Sequence, residues 1–396
     1  MISKLFQAIK EGNETTVKKC LLDTRININK IRGDYTLLTF AAKNGHFKIM
    51  KLLLDSGANI NRAAKYGWTP LYVAAHNGYD TCVKLLLDSG ANINQQGKHG
   101  YTPLFDAVAE SHDACVKLLL DAGADVDKTD KDDMTPLYIA AKIGHIEIMK
   151  LLLDSGANKD KVYYKNCYQY TSLHIAAHNG HFESVKLLLD SGDDPNKVAE
   201  KGRNTPLMCA AQYGHFEIVK LLLDSGADPN KANGGEYTPL IIAADKGHYR
   251  IVKLLLDSGA DPNKATYIVK WTPLYVAVAE AHYACVKLLL DSGADINKAD
   301  NKGNTPLFIA VKYPCKHYVS KYGYERVAEL LLNATYKDIA DKVLVAISKQ
   351  DLIFDTAFII FKKTLENTIP NKYININDKN IKKQLYNIFQ AKFSKV

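Results

Sequence analysis

The sequence predicts an all-α solenoid in which pairs of antiparallel helices stack side by side and are joined by hairpin-like turns. The string Thr-Pro-Leu, counted with two degenerate copies, recurs nine times at intervals of 33 to 36 residues. The string Leu-Leu-Leu-Asp-Ser/Ala-Gly follows each of the first eight copies at one fixed offset. Two strings that stay in phase over so many copies are the signature of a repeat array, in which each unit buries its apolar face against its neighbours.

The copies of the first string set the boundaries of the predicted units. Their threonines are Thr36, Thr69, Thr102, Thr135, Thr171, Thr205, Thr238, Thr272 and Thr305. We predict nine repeats within residues 34–335, starting near 34, 67, 100, 133, 169, 203, 236, 270 and 303. Residues 1–33 lack the Thr-Pro pair and are rich in charge, which predicts a polar N-terminal capping unit. Residues 336–396 form a further, C-terminal helical segment.

The second repeat shows how one unit folds. Thr69 is a suitable N-cap, and Pro70 suits the first turn of a helix, where no backbone N–H is needed. Asn77-Gly78 ends this short helix, and a second helix is predicted from about Tyr79 to Asp88. Gly90 then supplies the left-handed residue that ends the second helix.

The run Thr69-Pro70-Leu71-Tyr72-Val73-Ala74 resembles the Thr-Pro-Leu-His-x-Ala signature of the ankyrin repeat, and the resemblance covers roughly residues 2–335. It implies a non-catalytic scaffold that binds a partner protein. It also implies that the residue before each Thr lies on a turn projecting towards the concave, partner-binding side. Long arrays rich in Lys, Asn, Ile and Tyr are similar to those of intracellular bacteria and large DNA viruses, which would make the chain a host-directed effector.

The residues that directly precede the repeat threonines form the first candidate contact surface, here called the aromatic column. The column holds both tryptophans of the chain and reads Tyr35, Trp68, Tyr101, Met134, Tyr170, Asn204, Tyr237, Trp271 and Asn304. Aromatic side chains give large contact areas at low entropic cost. We therefore predict that its aromatic members contact a partner: Tyr35, Trp68, Tyr101, Tyr170, Tyr237 and Trp271. The alternative is that these rings pack on neighbouring turns and stiffen the array.

A second candidate column follows the Ala-Ala pair of each unit and varies from unit to unit, which suits recognition. Its candidate contact residues are His76, Lys142, His178 and Tyr213, and Lys43 opens the same column. Basic residues recur on the turns, which favours a partner with an acidic surface. The formal net charge is +8, of which 11 Lys against 6 Asp and Glu place +5 in residues 334–396. The nearly balanced array predicts no broad phosphate-binding face and hence no nucleic-acid partner.

The sequence predicts neither catalysis nor a cofactor nor a metal. It contains no GxGxxG, GxxxxGK[ST], GxSxG, HExxH or paired CxxC motif. Histidines recur once per repeat, too far apart to converge on a metal, and are predicted to make structural hydrogen bonds: His46, His112, His145, His181, His215, His248 and His282. The seven scattered cysteines are typical of buried thiols in a reducing compartment.

Three irregular features stand out within the array. The long turn Lys159 to Tyr170 contains four tyrosines and is either a binding finger or a tolerated insertion. Asp106 stands where other units place an apolar residue or Cys; it is predicted to be a partly exposed local exception, and the alternative is a functional contact. An extra nine residues around Tyr313-Pro314-Cys315 separate the helices of the ninth unit.

The C-terminal segment is predicted to hold three helices, at Tyr336 to Ile347, Leu352 to Leu365 and Asn380 to Phe393. It most simply caps the last repeat. The alternative is an adaptor module that recruits a second protein, as the F-box-like segments of some ankyrin proteins do, or that carries an unrecognised activity. Its most apolar run, Leu352 to Phe361, is too short to span a bilayer, and the N-terminus lacks a signal-peptide core. We expect a cytoplasmic monomer, in its own cell or in a host.

Overall fold

The computed structural model describes residues 2–23, 25–165, 168–198, 204–312 and 321–347, together with 386, 387 and 390. By backbone contacts the chain divides into two compact units, one of residues 1–210 with 224–227 and one of residues 211–223 with 228–396. Throughout the described residues both units are built from paired α-helices, and the first also contains a short β-hairpin. The predicted all-α fold is confirmed.

The helices follow the predicted order. The N-terminal pair and the first four repeats contain α1 (Ile2–Lys10), α2 (Glu14–Leu21), α3 (Leu37–Lys43), α4 (Phe47–Asp55), α5 (Pro70–His76), α6 (Asp80–Asp88), α7 (Pro103–Ala109), α8 (Asp113–Asp121), α9 (Pro136–Ile143) and α10 (Ile146–Asp154). The hairpin of β1 (Tyr163–Lys165) and β2 (Tyr168–Tyr170) precedes α11 (Ser172–Asn179), α12 (Phe182–Asp190), α13 (Pro206–Tyr213) and α14 (Phe216–Asp224). The remaining helices are α15 (Pro239–Asp245), α16 (Tyr249–Asp257), α17 (Pro273–Ala279), α18 (Tyr283–Asp291), α19 (Pro306–Lys312) and α20 (Lys321–Ile347).

The Thr-Pro signal starts the first helix of a repeat as predicted. The side-chain oxygen of Thr69 accepts a 3.1 Å hydrogen bond from the backbone N–H of Tyr72, and Pro70 occupies the first turn. The same cap recurs at Thr102, Thr135, Thr238 and Thr272. This arrangement is stable because one unpaired N–H group of the helix end gains an acceptor and another is removed by proline.

Within each unit the first helices form one layer and the second helices another. In the first unit α3, α5, α7, α9 and α11 contact one another in sequence, as do α2, α4, α6, α8, α10 and α12. Ala74 and Ala75 are fully buried and let neighbouring first helices approach closely, while Cys82, Val83 and Leu86 fill the space beneath α6. In the second unit α15, α17 and α19 repeat the first layer, and α16, α18 and α20 the second.

The middle glycine of one repeat and the histidine of the next fit each other. Gly78 has a φ of 72°, and a Cβ atom there would lie 2.7 Å from the ring of His112. In this position the Nε2–H of His112 donates a 3.0 Å hydrogen bond to the carbonyl oxygen of His76. His181, His248 and His282 bond to the preceding repeat in the same way. For these four residues the predicted structural role is confirmed.

Side chains on the turns also tie neighbouring repeats together. The side-chain oxygen of Asn61 accepts a 2.7 Å hydrogen bond from the backbone N–H of Asn92. Asn94 does the same for Asp125 at 2.9 Å, and in the second unit Asn230 does so for Asp261 at 2.7 Å. Because these turns are held from repeat to repeat, the residues that they carry keep a fixed spacing.

The predicted N-terminal cap is a helix pair with one apolar face. Leu5 and Ile9 of α1 and Val17 of α2 are fully buried. Helix α1 contacts α3, and α2 contacts α4. The charged residues Lys10, Glu11, Lys18 and Lys19 are exposed. The pair therefore covers the first repeat and presents a polar outer side.

The long turn at residues 159–170 is anchored at its base. Tyr163 pairs with Tyr170 across the antiparallel β1–β2 hairpin. The ring of Tyr163 is buried, and its centroid lies 4.8 Å from that of Tyr138. The two residues at the tip, 166 and 167, and the side chains from Tyr164 to Gln169 lie outside the described part, so the choice between a finger and a tolerated insertion stays open.

The C-terminal segment begins inside a long helix. Helix α20 runs without a break through residue 336, where the sequence analysis places the end of the ninth repeat. Thr335, Tyr336 and Ile339 are buried, and α20 contacts α18 and α19. The predicted extra stretch around Tyr313-Pro314-Cys315 and the predicted helix at Leu352 to Leu365 lie outside the described residues, as does most of the helix predicted at Asn380 to Phe393.

Candidate partner-binding surface

The aromatic column lies on the turns that lead into the first helices. In the first unit the ring of Trp68 lies parallel to that of Tyr72, with an interplanar angle of 5° and 6.3 Å between centroids. Tyr101 stacks on Phe105 in the same way, at 5° and 4.9 Å. The column residues are half-buried, so each ring packs on its own repeat and still exposes part of its surface. These stacking contacts lie within one repeat, so they do not test the alternative of packing on neighbouring turns, and they leave part of each ring exposed.

The structure brings three of the predicted contact residues together in one cleft. Tyr35 of the first repeat and Trp68 and His76 of the second line a cavity of about 180 Å³. Lys43 and Tyr72 complete its polar and aromatic walls. The rings of Tyr72 and His76 are also parallel, at 5° and 6.4 Å, because residues four apart lie on the same side of a helix. We call this site the Lys43–Trp68 cleft.

Asp106 lies behind this cleft and is buried, so the predicted partial exposure is wrong. Only 6% of its surface is accessible, because α7 packs against α5. Its Oδ2 atom lies 2.6 Å from Nδ1 of His76, and its carboxylate also accepts a hydrogen bond from Tyr72. Burial raises the pKa of Asp106, while the charge of His76 and the two hydrogen bonds act against that rise. The carboxylate of the third repeat thus holds two side chains of the second.

The other predicted residues of the first unit lie apart from the cleft. The ring centroids of Tyr170 and His178 are 6.2 Å apart. Lys142 is exposed at the end of α9, and its carbonyl oxygen accepts hydrogen bonds from Asn179 and His181. These side chains belong to the first-helix layer of the unit and are not among the residues that line the Lys43–Trp68 cleft.

In the second unit one pair of rings stacks in the same way as in the first unit. Trp271 stacks on Tyr275 at 5.8 Å and 13°. Tyr237 is half-buried, and Tyr213 is 47% exposed at the end of α13. The residue at the place of His76 is here Ala279, and in the following repeat the residue at the place of Asp106 is Ile309. The Trp–Tyr pair is therefore shared between the units, but the histidine and the buried carboxylate are not.

Several titratable residues of the described part are buried in the array. No group of three or more His, Cys, Asp or Glu side chains there could hold a metal ion. Burial raises the pKa of Cys82, Cys115 and Cys285 to about 11, so these thiols stay protonated at neutral pH. Burial also lowers the pKa of His174 to about 4, and its Nε2–H donates to the carbonyl oxygen of Asn204 at 2.9 Å. Within the same described part no helix is both long and apolar enough to span a membrane.

Two features of the molecule escaped the sequence analysis. Lys43 was visible as a member of the variable column, but only the structure shows that it faces the rings of the neighbouring repeat. Asp193 takes the place of the alanine that follows the Leu-Leu-Leu-Asp-Ser-Gly string elsewhere. Its side chain is 6% exposed, and the Nζ of Lys159 lies 3.6 Å from its Oδ1. Its departure from the repeat consensus was the available signal.

Comparison with known proteins agrees with the repeat geometry. A family model described as ankyrin repeats (3 copies) matches residues 5–97, 65–130, 104–199, 191–266 and 264–343. These overlapping matches cover most of the chain, which therefore belongs to the ankyrin-repeat family. Members of this family are in general protein–protein interaction modules.

The similar solved structures are ankyrin-repeat domains. The chain is 31% identical to the human ASB11 ankyrin repeat domain, with a TM-score of 0.51 over 58% of this chain and 100% of that one. It is 28% identical to the ankyrin repeat domain of Bcl-3, a member of the IkappaB family, with a TM-score of 0.50 over 57% of this chain and 100% of that one. A stretch of 68 residues is 40% identical to cortactin-binding protein 2 of Rattus norvegicus, which is 17% of this chain and 4% of that protein.

Proposed function

We propose that the chain is a non-catalytic scaffold that binds a partner protein through the aromatic column and the ends of the first helices beside it. The observation that carries the proposal is the half-exposed state of the column rings. Trp68, Tyr101 and Trp271 are held rigidly by stacking on their own helices. A ring that is already ordered loses little entropy when a partner covers it, so such rings suit an interface.

The charges beside the column favour an acidic partner surface. Among the described residues, neither Lys43 nor Lys142 has a carboxylate within ion-pair distance. Both lysines lie at the end of a first helix, where the variable column predicted contact residues. Unpaired cations next to exposed aromatic rings complement carboxylates and apolar groups on a partner.

The proposal also covers the compartment, the oligomeric state and the effector role of the protein. The five cysteines of the described residues that are assigned as free thiols are buried, which supports a reducing compartment such as the cytoplasm of its own cell or of a host. The apolar stripes of the described helices are covered by neighbouring repeats, which supports a monomer. The predicted role as a host-directed effector rests on composition alone.

An adaptor whose working end is the segment 336–396 is the alternative function. The described beginning of that segment favours a cap instead. Tyr336 and Ile339 are 2% and 4% exposed, in a helix that contacts both helices preceding it in the array. A buried helix face of this kind covers the end of the stack, as a solenoid requires.

The proposal is tested by affinity capture with a column variant and an outer-layer variant. The column variant carries Trp68→Ala, Tyr101→Ala and Trp271→Ala. The outer-layer variant carries Phe182→Ala and Tyr249→Ala, which remove rings that are 37% and 53% exposed on second helices. Circular dichroism and thermal unfolding show that each variant keeps its helices. We expect the column variant to lose a captured protein that the native chain and the outer-layer variant retain.

Three results would contradict the proposal. A folded column variant that captures the same proteins as the native chain would show that the rings only stiffen the array. A column variant with markedly lower helical content would assign them the same structural role. Loss of capture in the outer-layer variant alone would move the interface to the second helices.

A further inference from the structure

The Lys43–Trp68 cleft differs from the rest of the aromatic column because it combines rings with a cation. The cavity between the first two repeats has a volume of about 180 Å³, which is large enough for one side chain. Trp68, Tyr72 and His76 form a row of parallel rings along one wall. Tyr35 and Lys43 form the facing wall. Trp271 and Tyr275 form a similar ring pair, but Ala279 stands at the place of His76, and Asp245 of the preceding repeat stands at the place of Lys43.

Lys43 is held at the cleft by contacts that leave its charge uncompensated. Its Nζ atom lies 2.8 Å from the hydroxyl oxygen of Tyr35 and 4.6 Å from the centroid of that ring. Within the described part of the chain no carboxylate lies within ion-pair distance of this ammonium group. The phenol orders the lysine side chain, so a ligand need not bear that entropic cost.

The carboxylates around the cleft are already engaged. Asp34 pairs with Lys65 at 3.0 Å. Asp106 is buried and holds His76 at 2.6 Å. Because Asp106 fixes the imidazole parallel to Tyr72, it acts as a positioning residue for the wall of the cleft. The exposed Glu110, 4.0 Å from the His76 ring, is the remaining acidic group at the rim.

Two lysines lie beside the ring next to Trp68. The Nζ atoms of Lys65 and Lys98 lie 4.9 Å and 5.5 Å from the ring centroid of Tyr66, and the charge of Lys65 is compensated by Asp34. Tyr66 in turn lies 5.3 Å from Trp68. Lys43 and Lys98, which have no ion pair among the described residues, stand against one exposed carboxylate, Glu110, and this balance favours a negatively charged ligand.

We propose that the Lys43–Trp68 cleft receives an aspartate or glutamate side chain from an acidic segment of the partner protein. The carboxylate pairs with the ammonium group of Lys43, and the aliphatic part of the acidic side chain lies on the face of Trp68. This inference rests on the proposed function and specifies the chemistry of one part of the interface. It places the first anchor of the partner between repeats one and two.

The experiment uses the full chain with Trp271→Phe, which leaves Trp68 as the single tryptophan because the chain contains two. Capped hexaglutamate, hexaglutamine and hexalysine peptides and a single-stranded oligonucleotide are titrated while Trp68 fluorescence is recorded. We expect a saturable change with hexaglutamate that weakens as salt is added. Lys43→Gln should weaken this binding about fivefold, the effect of losing one partly exposed ion pair. Lys43→Arg should largely retain it.

Lys51→Gln is the matched control, since Lys51 is exposed on α4 of the same repeat and the substitution removes the same charge. Equal weakening by Lys51→Gln and Lys43→Gln would overturn the inference, because it would indicate general attraction rather than a site. So would an equal response to hexaglutamine, or a preference for hexalysine or for the oligonucleotide. A chain that shows no peptide binding but loses its captured partner in the column variant would refute this inference and leave the proposed function intact.

Discussion

The hydroxyl group of Tyr275 donates a 2.9 Å hydrogen bond to Oδ2 of Asp300, and the equivalent bond is missing at the third repeat. There Phe105 takes the place of the tyrosine, and Oδ2 of Asp130 is buried without a partner. In both turns Oδ1 of the aspartate accepts two backbone N–H groups, but Oδ2 of Asp300 also accepts a 2.9 Å hydrogen bond from the side chain of Asn304, whose place is taken by Met134 in the other turn. The pKa values of the two aspartates are therefore shifted in opposite directions. Burial raises the pKa of Asp130, whereas at Asp300 hydrogen bonds from Asn304, Tyr275 and Lys302 outweigh burial and lower the pKa.

Phe105→Tyr should therefore stabilise the fold. The new hydroxyl group would reach Oδ2 of Asp130 and satisfy it, which is worth about 1 kcal/mol. The free energy of unfolding, measured with urea at pH 7, should rise by that amount, and the pKa of Asp130 measured by NMR should fall. Tyr275→Phe removes the corresponding bond and should destabilise the protein by less, because Oδ2 of Asp300 keeps its hydrogen bond from the side chain of Asn304. An unchanged Asp130 pKa in Phe105→Tyr would contradict the assigned contact.

The middle glycines are predicted to be essential for the fit between repeats. Gly78→Ala would place a Cβ atom 2.7 Å from the His112 ring at a φ of 72°, so both strain and steric conflict result. We expect a loss of roughly 2 to 3 kcal/mol in unfolding free energy. Gly90→Ala is the control, because its φ is 82° but nothing lies within 4 Å of the new atom. If the free energy of unfolding falls equally in both variants, the contact with His112 does not contribute to stability.

Ser111→Gly should have the opposite effect. Ser111 replaces the middle glycine of the third repeat and has a φ of 62°. The histidine of the following repeat, His145, bonds to the side chain of Asp113 at 3.1 Å instead of to the preceding first helix. Glycine relieves the backbone strain, and we expect a gain of about 0.5 to 1 kcal/mol in urea unfolding. A loss of stability would mean that the Ser111 side chain contributes more than its backbone strain costs.

Asp193→Ala is predicted to stabilise the protein in a pH-dependent way. Burial raises the pKa of Asp193 from 3.8 to about 6, although Lys159 acts against the rise. A carboxyl group with a raised pKa in the folded state binds its proton more tightly there than in the unfolded chain. Protonated Asp193 therefore makes its full contribution to the stability of the folded state below about pH 4. This contribution is lost as the pH rises through about 6.

The pH dependence separates this prediction from a simple packing effect. At pH 7 the free energy of unfolding of the alanine variant, measured with urea, should be higher by an amount on the order of 1 to 3 kcal/mol. At pH 4 the gain should largely disappear. Alanine is buried at the equivalent positions 157 and 227, so the substitution fits the site. Equal gains at both pH values would show that the charge of Asp193 is not the cause.

Much of the fold could be predicted because its determinants are local. The Thr69–Pro70 cap, the glycine at position 90 and the apolar spacing of α6 act within one repeat, and the structure places the helix at Asp80–Asp88, within a residue of its predicted start. The nature of the candidate surface was also accessible, because the aromatic column is a property of one repeat position. Whether its rings contact a partner is still a prediction.

The sequence by itself determined the phase of the repeats, the starts of their first helices within the described residues and the family, since caps, turns and apolar periodicity depend on neighbours along the chain. Only the tertiary structure decided which side chains of different repeats meet. Asp106 is buried against His76, thirty residues away, and Lys43 shares a cleft with Trp68 of the next repeat. These relationships depend on how one helix pair is offset against the next, and that offset is set by packing across the interface rather than by any local pattern.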